Sequence, residues 1–393
     1  MKNDIFIKPV VFISLFLTMF TIGFGLLYPM GHPSRAFGIY PQTLLFATSL
    51  VFFIKTFSSN NVQKTGVHYS LLLFNMMIFL YGIFIMDIYR IAVLTYAFLS
   101  FYVFYYLAYK GYLQQSHIHN MAVILLIFYT YVTYNGIGYR TEMYGEYFLR
   151  ADNTGYNLLF LIPIFAMNFI SKKNIFMALF SFLLIALSFK RGAMLLGAIV
   201  LILMLIQLLN IYRRANENKK EIAFAFILII AISIYGISEY WSILSYRFTN
   251  DPTLSGRTNF YDWIYDGWLN STWLNHLFGF GLYQVIEFLG NVYYIPIYAH
   301  SDWLELLYDH GILGIVLYSF ICLTLFTHKN NIKYYAPDLY WPYLMTIVIF
   351  FIKSIYSGIY INKDSIVLIM TIAFILGTAN QNQSRINLQD TNG

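Results

Sequence analysis

Residues 174–211 decide the fold, and they read NIFMALFSFLLIALSFKRGAMLLGAIVLILMLIQLLNI. Apart from Lys190 and Arg191, the run is almost entirely apolar. It is too long for a single crossing of a bilayer, since one helical span needs about 20 residues. The run therefore predicts two membrane-spanning helices joined by a turn at Lys190 and Arg191. Ser188, three residues before Arg191, is expected to be its neighbour on a helical surface.

Hydrophobic stretches of this length recur along the whole chain, which is 59% hydrophobic and 11% charged. No separate soluble domain interrupts them, so the sequence predicts one all-α polytopic membrane domain over residues 1–393. The first stretch lacks a small-residue cleavage site and is expected to be a retained anchor. About twelve spans of roughly 20 residues are predicted, near 9–28, 36–57, 67–86, 90–109, 120–138, 156–171, 174–189, 192–211, 222–240, 303–327, 336–353 and 364–380.

The basic residues of the short loops predict the orientation of these spans. If the spans alternate, 14 of the 24 lysines and arginines lie on one side and 10 on the other. The larger set, with both termini, is therefore predicted to be cytoplasmic. Seven of the 10 external basic residues are arginine, whose planar guanidinium binds phosphate or carboxylate through two hydrogen bonds. The external face, predicted to bind anions, carries Arg35, Arg90, Arg140, Arg150, Lys190, Arg191, Arg247, Arg257, Lys353 and Lys363.

Two predicted external loops are long enough to carry a functional site. One covers about residues 139–155, and the other, by far the longer, covers about residues 241–302. Functional residues collect on such loops when a rigid scaffold holds them. Within the second loop, Arg257–Asn270 places its tryptophans and other apolar residues at helical spacing, opposite a polar face. This pattern predicts a short amphipathic helix in the outer membrane interface. Leu277–Gly281 is expected to form a flexible apolar turn that dips into the membrane.

The basic pair Lys190 and Arg191 allows two interpretations. The pair could clamp a phosphate group at the external mouth of the bundle, or it could anchor the helices by reaching to lipid headgroups. The clamp is favoured, because external cations oppose the usual distribution of positive charge.

Arg257 belongs to the motif Ser255–Gly256–Arg257 and also allows two interpretations. It could contact an anionic substrate. Alternatively, Ser255 caps the interfacial helix, and Arg257 pairs with Asp262 or Glu287.

His300 is the sharpest catalytic candidate. It precedes the predicted tenth span, where Asp302 and Glu305 have the spacing of a capping box. We therefore favour a capping role over catalysis for Asp302 and Glu305. Near a helix N-terminus a protonated imidazole is disfavoured, which leaves His300 available as a neutral base near pH 7.

The sequence lacks the motifs that are typical of several functional classes. The histidines His117 and His119 have no acidic or cysteine partner, and Cys322 is the only cysteine, so no metal site is predicted. No glycine-rich phosphate loop is present, and no cofactor is expected. The net charge of +6 is explained by membrane anchoring, so nucleic acid is not an expected partner.

Four short motifs occur on the predicted external side, in the order Asp152–Asn157, Ser188–Gly192, Ser255–Arg257 with Phe278–Gly281, and Ala299–Glu305 with Gly311 and Gly314. In order, spacing and sidedness they resemble the O-antigen polymerase and O-antigen ligase superfamily of bacterial inner-membrane proteins. One departure is Ser301, at a position where asparagine is commoner in that superfamily.

The resemblance implies metal-independent, inverting transfer of a glycan from undecaprenyl pyrophosphate at the periplasmic face of the inner membrane. It implies that His300 engages the acceptor hydroxyl and that Arg191 and Arg257 bind the pyrophosphate. This agrees with the need for a base and for fixed cations at the developing charge. Further candidates for binding the pyrophosphate or glycan are Lys190, Arg247, Arg140 and Arg150.

The resemblance leaves the reaction open between two members of the superfamily. A polymerase joins one lipid-linked repeat unit to another, whereas a ligase passes the polymer to lipid A–core. The polymerase is favoured, and a chain-length regulator protein is then a candidate partner beside the lipid-linked oligosaccharide and the bilayer. A flippase for lipid-linked sugars is a further alternative. It is less favoured because the cations gather at one surface and no internal repeat is visible.

Overall fold

The computed structural model describes residues 4–27, 39–85, 88–144, 154–169, 171–188, 190–214, 227, 257–294 and 296–392 of the chain. In these residues the secondary structure is helical, without strands. Two short 3₁₀ helices, Pro337–Leu339 and Lys363–Ser365, lie directly before the α-helices that begin at Tyr340 and Ile366. The helices are α1 (Asp4–Leu27), α2 (Ile39–Ser58), α3 (Gly66–Ile85), α4 (Ile88–Tyr109), α5 (Gln115–Tyr144), α6 (Thr154–Ala166), α7 (Lys172–Leu187), α8 (Arg191–Arg214), α9 (Arg257–Leu269), α10 (Trp273–Phe278), α11 (Gln284–Tyr293), α12 (Asp302–Thr327), α13 (Lys329–Tyr335), α14 (Tyr340–Tyr356) and α15 (Ile366–Asn392).

The predicted polytopic membrane fold is confirmed. Eleven of the predicted spans coincide with a helix of the structure, and the predicted span at 222–240 lies, apart from Ile227, outside the described residues. Within the described part of the chain, seven helical stretches are long and apolar enough to cross a membrane, and two shorter helices are also apolar. The seven stretches are Ile39–Ser58, Gly66–Phe84, Ile91–Tyr109, Arg191–Arg213, Asp302–Tyr335, Pro337–Tyr356 and Lys363–Gln389.

The centre of the bundle is formed by helices that are apolar on all sides, as expected for helices surrounded by protein. In α4, Phe98, Phe101 and Tyr102 are at most 1% exposed, and α4 packs against α2, α3 and α15. All 13 residues of α6 are buried. Helices farther out keep one apolar face exposed, for example at Phe84 of α3, and such faces are expected to meet lipid.

The loops meet at two opposite ends of the bundle, which we name after their buried side chains. At the amide end, the Gln63 amide donates to Gln383 and the Asn331 amide to Asn380, both at 3.2 Å. At the carboxylate end lie Asp302, Glu305, Asp309 and Asp364. Some loops that the alternation of spans places on the same side are in contact: the Lys110 amine donates to the carbonyl of Asn61 at 3.2 Å, for example.

Candidate functional site

Three carboxylates lie along one face at the start of α12. Asp302, Glu305 and Asp309 are spaced by three and four residues, which brings them onto the same side of a helix, and each is 1% exposed. Acidic side chains are almost never buried this fully unless something compensates the charge. In the described residues, no three potential ligands from His, Cys, Asp and Glu are grouped closely enough to hold a metal ion. Each carboxylate instead accepts backbone hydrogen bonds.

Asp302 joins the start of α12 to the loop between α14 and α15. Its carboxylate accepts hydrogen bonds from the backbone N–H of Ile359 at 2.7 and 2.9 Å and of Tyr360 at 3.2 Å. The hydroxyl of Tyr318 donates to it at 2.8 Å. The prediction that Asp302 caps its own helix is wrong, because Ser301 is the N-cap residue and Asp302 is already helical. Its oxygens are occupied by a loop more than 50 residues away in the sequence, which no local pattern could indicate.

Glu305 has one oxygen bonded and one without a partner. Its Oε2 accepts a 2.7 Å hydrogen bond from the N–H of Ala299, so it reaches back before the helix much as the capping prediction expects. Its Oε1 is buried and has no hydrogen-bond partner among the described residues. Of the predicted acidic candidates, Glu305 is therefore the one with an oxygen still available to accept a proton.

Asp309 is a buried acid that the sequence patterns did not single out. It accepts hydrogen bonds from the N–H of Tyr283 at 2.9 Å and of Val285 at 3.0 Å, at the start of α11. The available signal was an ionisable residue inside the predicted span 303–327, where such residues are costly and often functional. His310 beside it is fully buried, and its ring lies edge-on to Tyr81 with the centroids 4.6 Å apart. Neither ring nitrogen of His310 has a partner in the described part of the chain.

Two of the glycine motifs form a single contact in the structure. Gly311 interrupts α12 with φ 63° and ψ −156°, a conformation almost restricted to glycine. The segment around Gly279 fits into this interruption, and a Cβ on Gly279 would lie 2.3 Å from the carbonyl carbon of Asp309. The N–H groups of Phe280 and Gly281 donate to the carbonyls of Tyr308 and Asp309 at 2.9 and 2.8 Å. The predicted flexible turn is thus fixed to α12.

Lys353 is the buried cation of the carboxylate end and is 0% exposed. Its Nζ donates to the carbonyl of Gly358 and lies 5.2 Å from the ring centre of Tyr156 and 5.6 Å from that of Phe160. It is electrostatically attracted by Asp302 and by Asp364. Lys353 therefore links the loop that Asp302 holds to helix α6.

The Lys190–Arg191 turn is seated against α6 and α14. Lys190 Nζ lies 5.9 Å from the ring centre of Tyr156, the ring that Lys353 also faces. The hydroxyl of Tyr356 donates to the carbonyl of Gly192 at 2.9 Å, and a Cβ on Gly192 would lie 2.1 Å from the hydroxyl oxygen of Tyr156. Residue 192 must therefore be glycine for the start of α8 to lie this close to Tyr156.

Ser188 and Arg191 do not share a helical surface. Ser188 is the C-cap of α7, and α8 begins at Arg191, so the predicted neighbour relation is wrong. The hydroxyl of Ser188 donates to Ile185 within its own helix at 2.7 Å. The chain has to reverse between these residues, and the reversal separates them.

The motif before α6 also reaches the carboxylate end. The side-chain amide of Asn157 donates to Asp364 at 2.7 Å. A Cβ on Gly155 would lie 2.3 Å from the Ser188 hydroxyl, so this motif packs directly on the end of α7. The motifs at 152–157 and 188–192 are therefore adjacent in space.

His300 is half-buried and lies directly before the N-cap of α12. Its φ of 57° is uncommon for a residue with a side chain, and such strained positions cluster at functional sites. The conformation fits the predicted catalytic role, which stays a prediction.

The remaining predicted binding residues are only partly described. Arg257 is the first residue of α9, and Arg140 lies in α5, but their side chains are outside the described residues, as are Arg150 and Arg247 entirely. The predicted helix of the long loop is present as α9. One of its tryptophans packs on protein: Trp263 stacks on Tyr293 with the ring centres 3.6 Å apart.

Tyr360 lies between the carboxylates and outside the membrane-spanning stretches. Burial raises the pKa of its hydroxyl well above the ordinary value, and the nearby Asp309 and Glu305 raise it further. Tyr360 therefore remains protonated and is excluded as a base near neutral pH.

Comparison with known protein families found one match. The sequence model of the O-antigen ligase family matches residues 176–319. The match supports the superfamily of O-antigen ligases and polymerases, and with it an enzyme of glycosyl transfer in O-antigen biosynthesis. It does not separate a polymerase from a ligase. No curated protein matches the chain.

The residues matched to the O-antigen ligase family extend from α7 into α12. They include Lys190, Arg191, His300 and the three carboxylates of α12. Lys353 lies outside the matched range, so its place at the site follows from the fold alone.

Proposed function

We propose that the protein is a polysaccharide polymerase of the bacterial inner membrane. It transfers a glycan from undecaprenyl pyrophosphate to the non-reducing end of another lipid-linked repeat unit, at the periplasmic face. The observation that carries this proposal is that two distant motifs, Ser188–Gly192 and Ala299–Glu305, are joined at the carboxylate end. One supplies cations for a pyrophosphate, and the other supplies candidate bases.

Contacts within the described residues connect these two motifs. Asp302 holds the N–H groups of Ile359 and Tyr360, and Lys353 donates to Gly358 in the same loop. Lys353 and Lys190 both face the ring of Tyr156. The cationic turn and the segment of His300 are thereby positioned relative to each other, as a reaction with a base and a charged leaving group requires.

In the proposed reaction, the acceptor hydroxyl attacks the anomeric carbon as the bond from that carbon to the pyrophosphate oxygen breaks. Displacement from the opposite face inverts the configuration. His300 accepts the hydroxyl proton, and Arg191 with Arg257 and Lys190 stabilises the negative charge on the departing pyrophosphate. Glu305, with its Oε1 unbonded, is the second candidate for the base.

Deletion of the gene distinguishes the two reactions of the superfamily. Lipopolysaccharide from the deletion strain is expected to show core carrying a single repeat unit, because ligation continues while extension fails. Bare core with polymer accumulating on the lipid carrier would identify a ligase. An unchanged ladder of chain lengths would contradict both the polymerase and the ligase activity.

Substitutions test the roles of the named residues. His300→Ala and Arg191→Ala are each expected to reduce chain extension by a factor of about 100 or more, with normal amounts of protein in the membrane. Arg213→Ala, an exposed arginine at the other end of α8, is the matched control and should extend chains normally. Long chains in the Arg191→Ala strain would rule out the proposed phosphate-clamp role of Arg191.

If His300→Ala remains active, the base is reassigned to Glu305. Glu305→Gln is then decisive, because the amide oxygen still accepts from Ala299 while the basic oxygen is lost. Asp302 is the weaker alternative, since both its oxygens already accept hydrogen bonds.

A further inference from the structure

The short helix α10 in the long loop has its polar and apolar faces reversed relative to a helix in water. Asn275 and His276 face the protein, and the His276 ring is 3.0 Å from the carbonyl oxygen of Trp268 at the end of α9. The outward face is a contiguous apolar patch, which in a soluble loop would need a partner. It consists of Trp273, Leu274, Leu277 and Phe278, which are 67, 49, 40 and 49% exposed.

Two contacts place α10 below the end of the membrane-spanning helices. The hydroxyl of Tyr81 in α3 donates to the carbonyl of Phe278, and Tyr81 lies inside the span Gly66–Phe84. On the other side, a Cβ on Gly311 would lie 2.6 Å from the carbonyl carbon of Leu277. Gly311 is nine residues into α12, about 13 Å along the axis from Asp302 at 1.5 Å per residue.

The exposed face of α10 continues the lipid-facing surface of its neighbours. On α3, Leu80 and Phe84 are 56 and 87% exposed, and on α12, Ile312 and Val316 are 43 and 55% exposed. These residues belong to helices that cross the membrane. Since α10 contacts α3 through Tyr81 and α12 through Gly311, its apolar patch adjoins these two exposed apolar faces.

Three N–H groups of the irregular backbone after α10 are bonded to protein carbonyls, as lying at membrane depth requires of polar groups. The N–H of Gly279 donates to Asn275 at 2.8 Å, and those of Phe280 and Gly281 donate to α12 at 2.9 and 2.8 Å. At the start of the helix, the Thr272 hydroxyl accepts from the N–H of Asn275.

We infer that residues 273–281 form a re-entrant segment, inserted from the carboxylate end into the acyl-chain region of the adjoining leaflet. The occupant of the apolar patch is the hydrocarbon of bilayer lipids. The inference goes beyond the proposed glycosyl transfer and holds for any reaction of the protein.

Spin labels measure this depth directly. Cys322 is the only cysteine and is buried, so a Cys322→Ser background allows single labels at Trp273→Cys and Leu274→Cys. The labelled protein is reconstituted into vesicles of phosphatidylethanolamine and phosphatidylglycerol. Collision rates with oxygen and with a water-soluble nickel chelate are then compared. Phe84→Cys and Met76→Cys calibrate depth along α3, and the exposed Asp266→Cys of α9 represents the aqueous side.

Labels at both α10 positions are expected to collide with oxygen in preference to nickel, with ratios between those of the Phe84 and Met76 labels. Ratios equal to that of the Asp266 label at either position would overturn the inference. Both side chains point away from the protein, and elution as one symmetric peak on gel filtration verifies the fold of each variant. If one variant misfolds, the other position decides the outcome.

Discussion

The two ends of the bundle hold their loops in different ways. At the amide end, the hydroxyls of Tyr102 and Tyr105 donate to the carbonyls of His68 and Gln63 at 2.8 and 2.6 Å, and Asn380 donates to Tyr105 at 2.8 Å. At the carboxylate end, the buried ionisable groups include Asp302, Glu305, Asp309 and Lys353, and the half-buried Asp364 lies beside them. A neutral hydrogen bond contributes about 0.5–1.5 kcal/mol, whereas burying an ion costs several kcal/mol.

The buried contacts named at the amide end are thus made by neutral groups. The ionisable groups of the other end are more costly to bury. The difference supports the proposal that the carboxylate end, rather than the amide end, is the functional site.

The largest effect on stability is expected at Asp302. Asp302→Asn would replace one carboxylate oxygen by an amide N–H₂, which cannot accept hydrogen bonds from the N–H groups of Ile359 and Tyr360. It would also leave Lys353 with less compensating charge. Breaking a buried charge network in this way costs about 3–5 kcal/mol. The midpoint of thermal unfolding in detergent should fall clearly, and the yield of membrane-inserted protein should fall with it.

Asp266→Asn is the control for that experiment, because Asp266 is an exposed acid on α9 and its replacement should leave the midpoint unchanged. If the Asp302→Asn variant instead has the same unfolding midpoint as the parent protein and fails to extend chains, the carboxylate acts in the reaction rather than in positioning the loop.

A smaller loss is expected where the glycine segment meets α12. Gly279 has φ 72° and ψ −168°, so Gly279→Ala costs about 1–3 kcal/mol for the backbone conformation, besides the clash with Asp309. Gly197→Ala on α8 is the matched control, since a Cβ there meets only ordinary contacts at 3.7 Å or more. Alanine should stabilise that helix by up to about 1 kcal/mol. Equal midpoints for the two variants would contradict the fixed position of the segment.

The smallest effect is expected at the amide end. Ser70→Ala removes a neutral hydroxyl that lies 3.1 Å from the carbonyl oxygen of Val67 and 3.0 Å from the hydroxyl of Thr324, at a cost of about 1 kcal/mol. Thermal unfolding and polysaccharide length are measured on the same strain, and only the former should change. A shift in chain length would mean that the amide end also takes part in the function.

Some of the site could be predicted because its signals are local. The basic turn at Lys190 and the helix of the long loop depend on neighbouring residues, and both are present in the structure. Asp302 was misassigned because a capping pattern within four residues matched its position, while its true partners lie at Ile359 and Tyr360. Asp309 was overlooked among the apolar residues of its span, although an acid at that depth is itself a signal.

The sequence by itself determined most of the spans and the short motifs that resemble the O-antigen polymerase and ligase superfamily, because hydrophobicity acts over about 20 residues and the motifs are local. Only the tertiary structure decided which buried groups are partners. Lys353 meets Tyr156, and Gly279 enters the break at Gly311, across separations that local patterns do not encode. The physical reason is that a buried charge is stabilised by whichever group packing brings within a few ångströms, and packing is a property of the whole bundle.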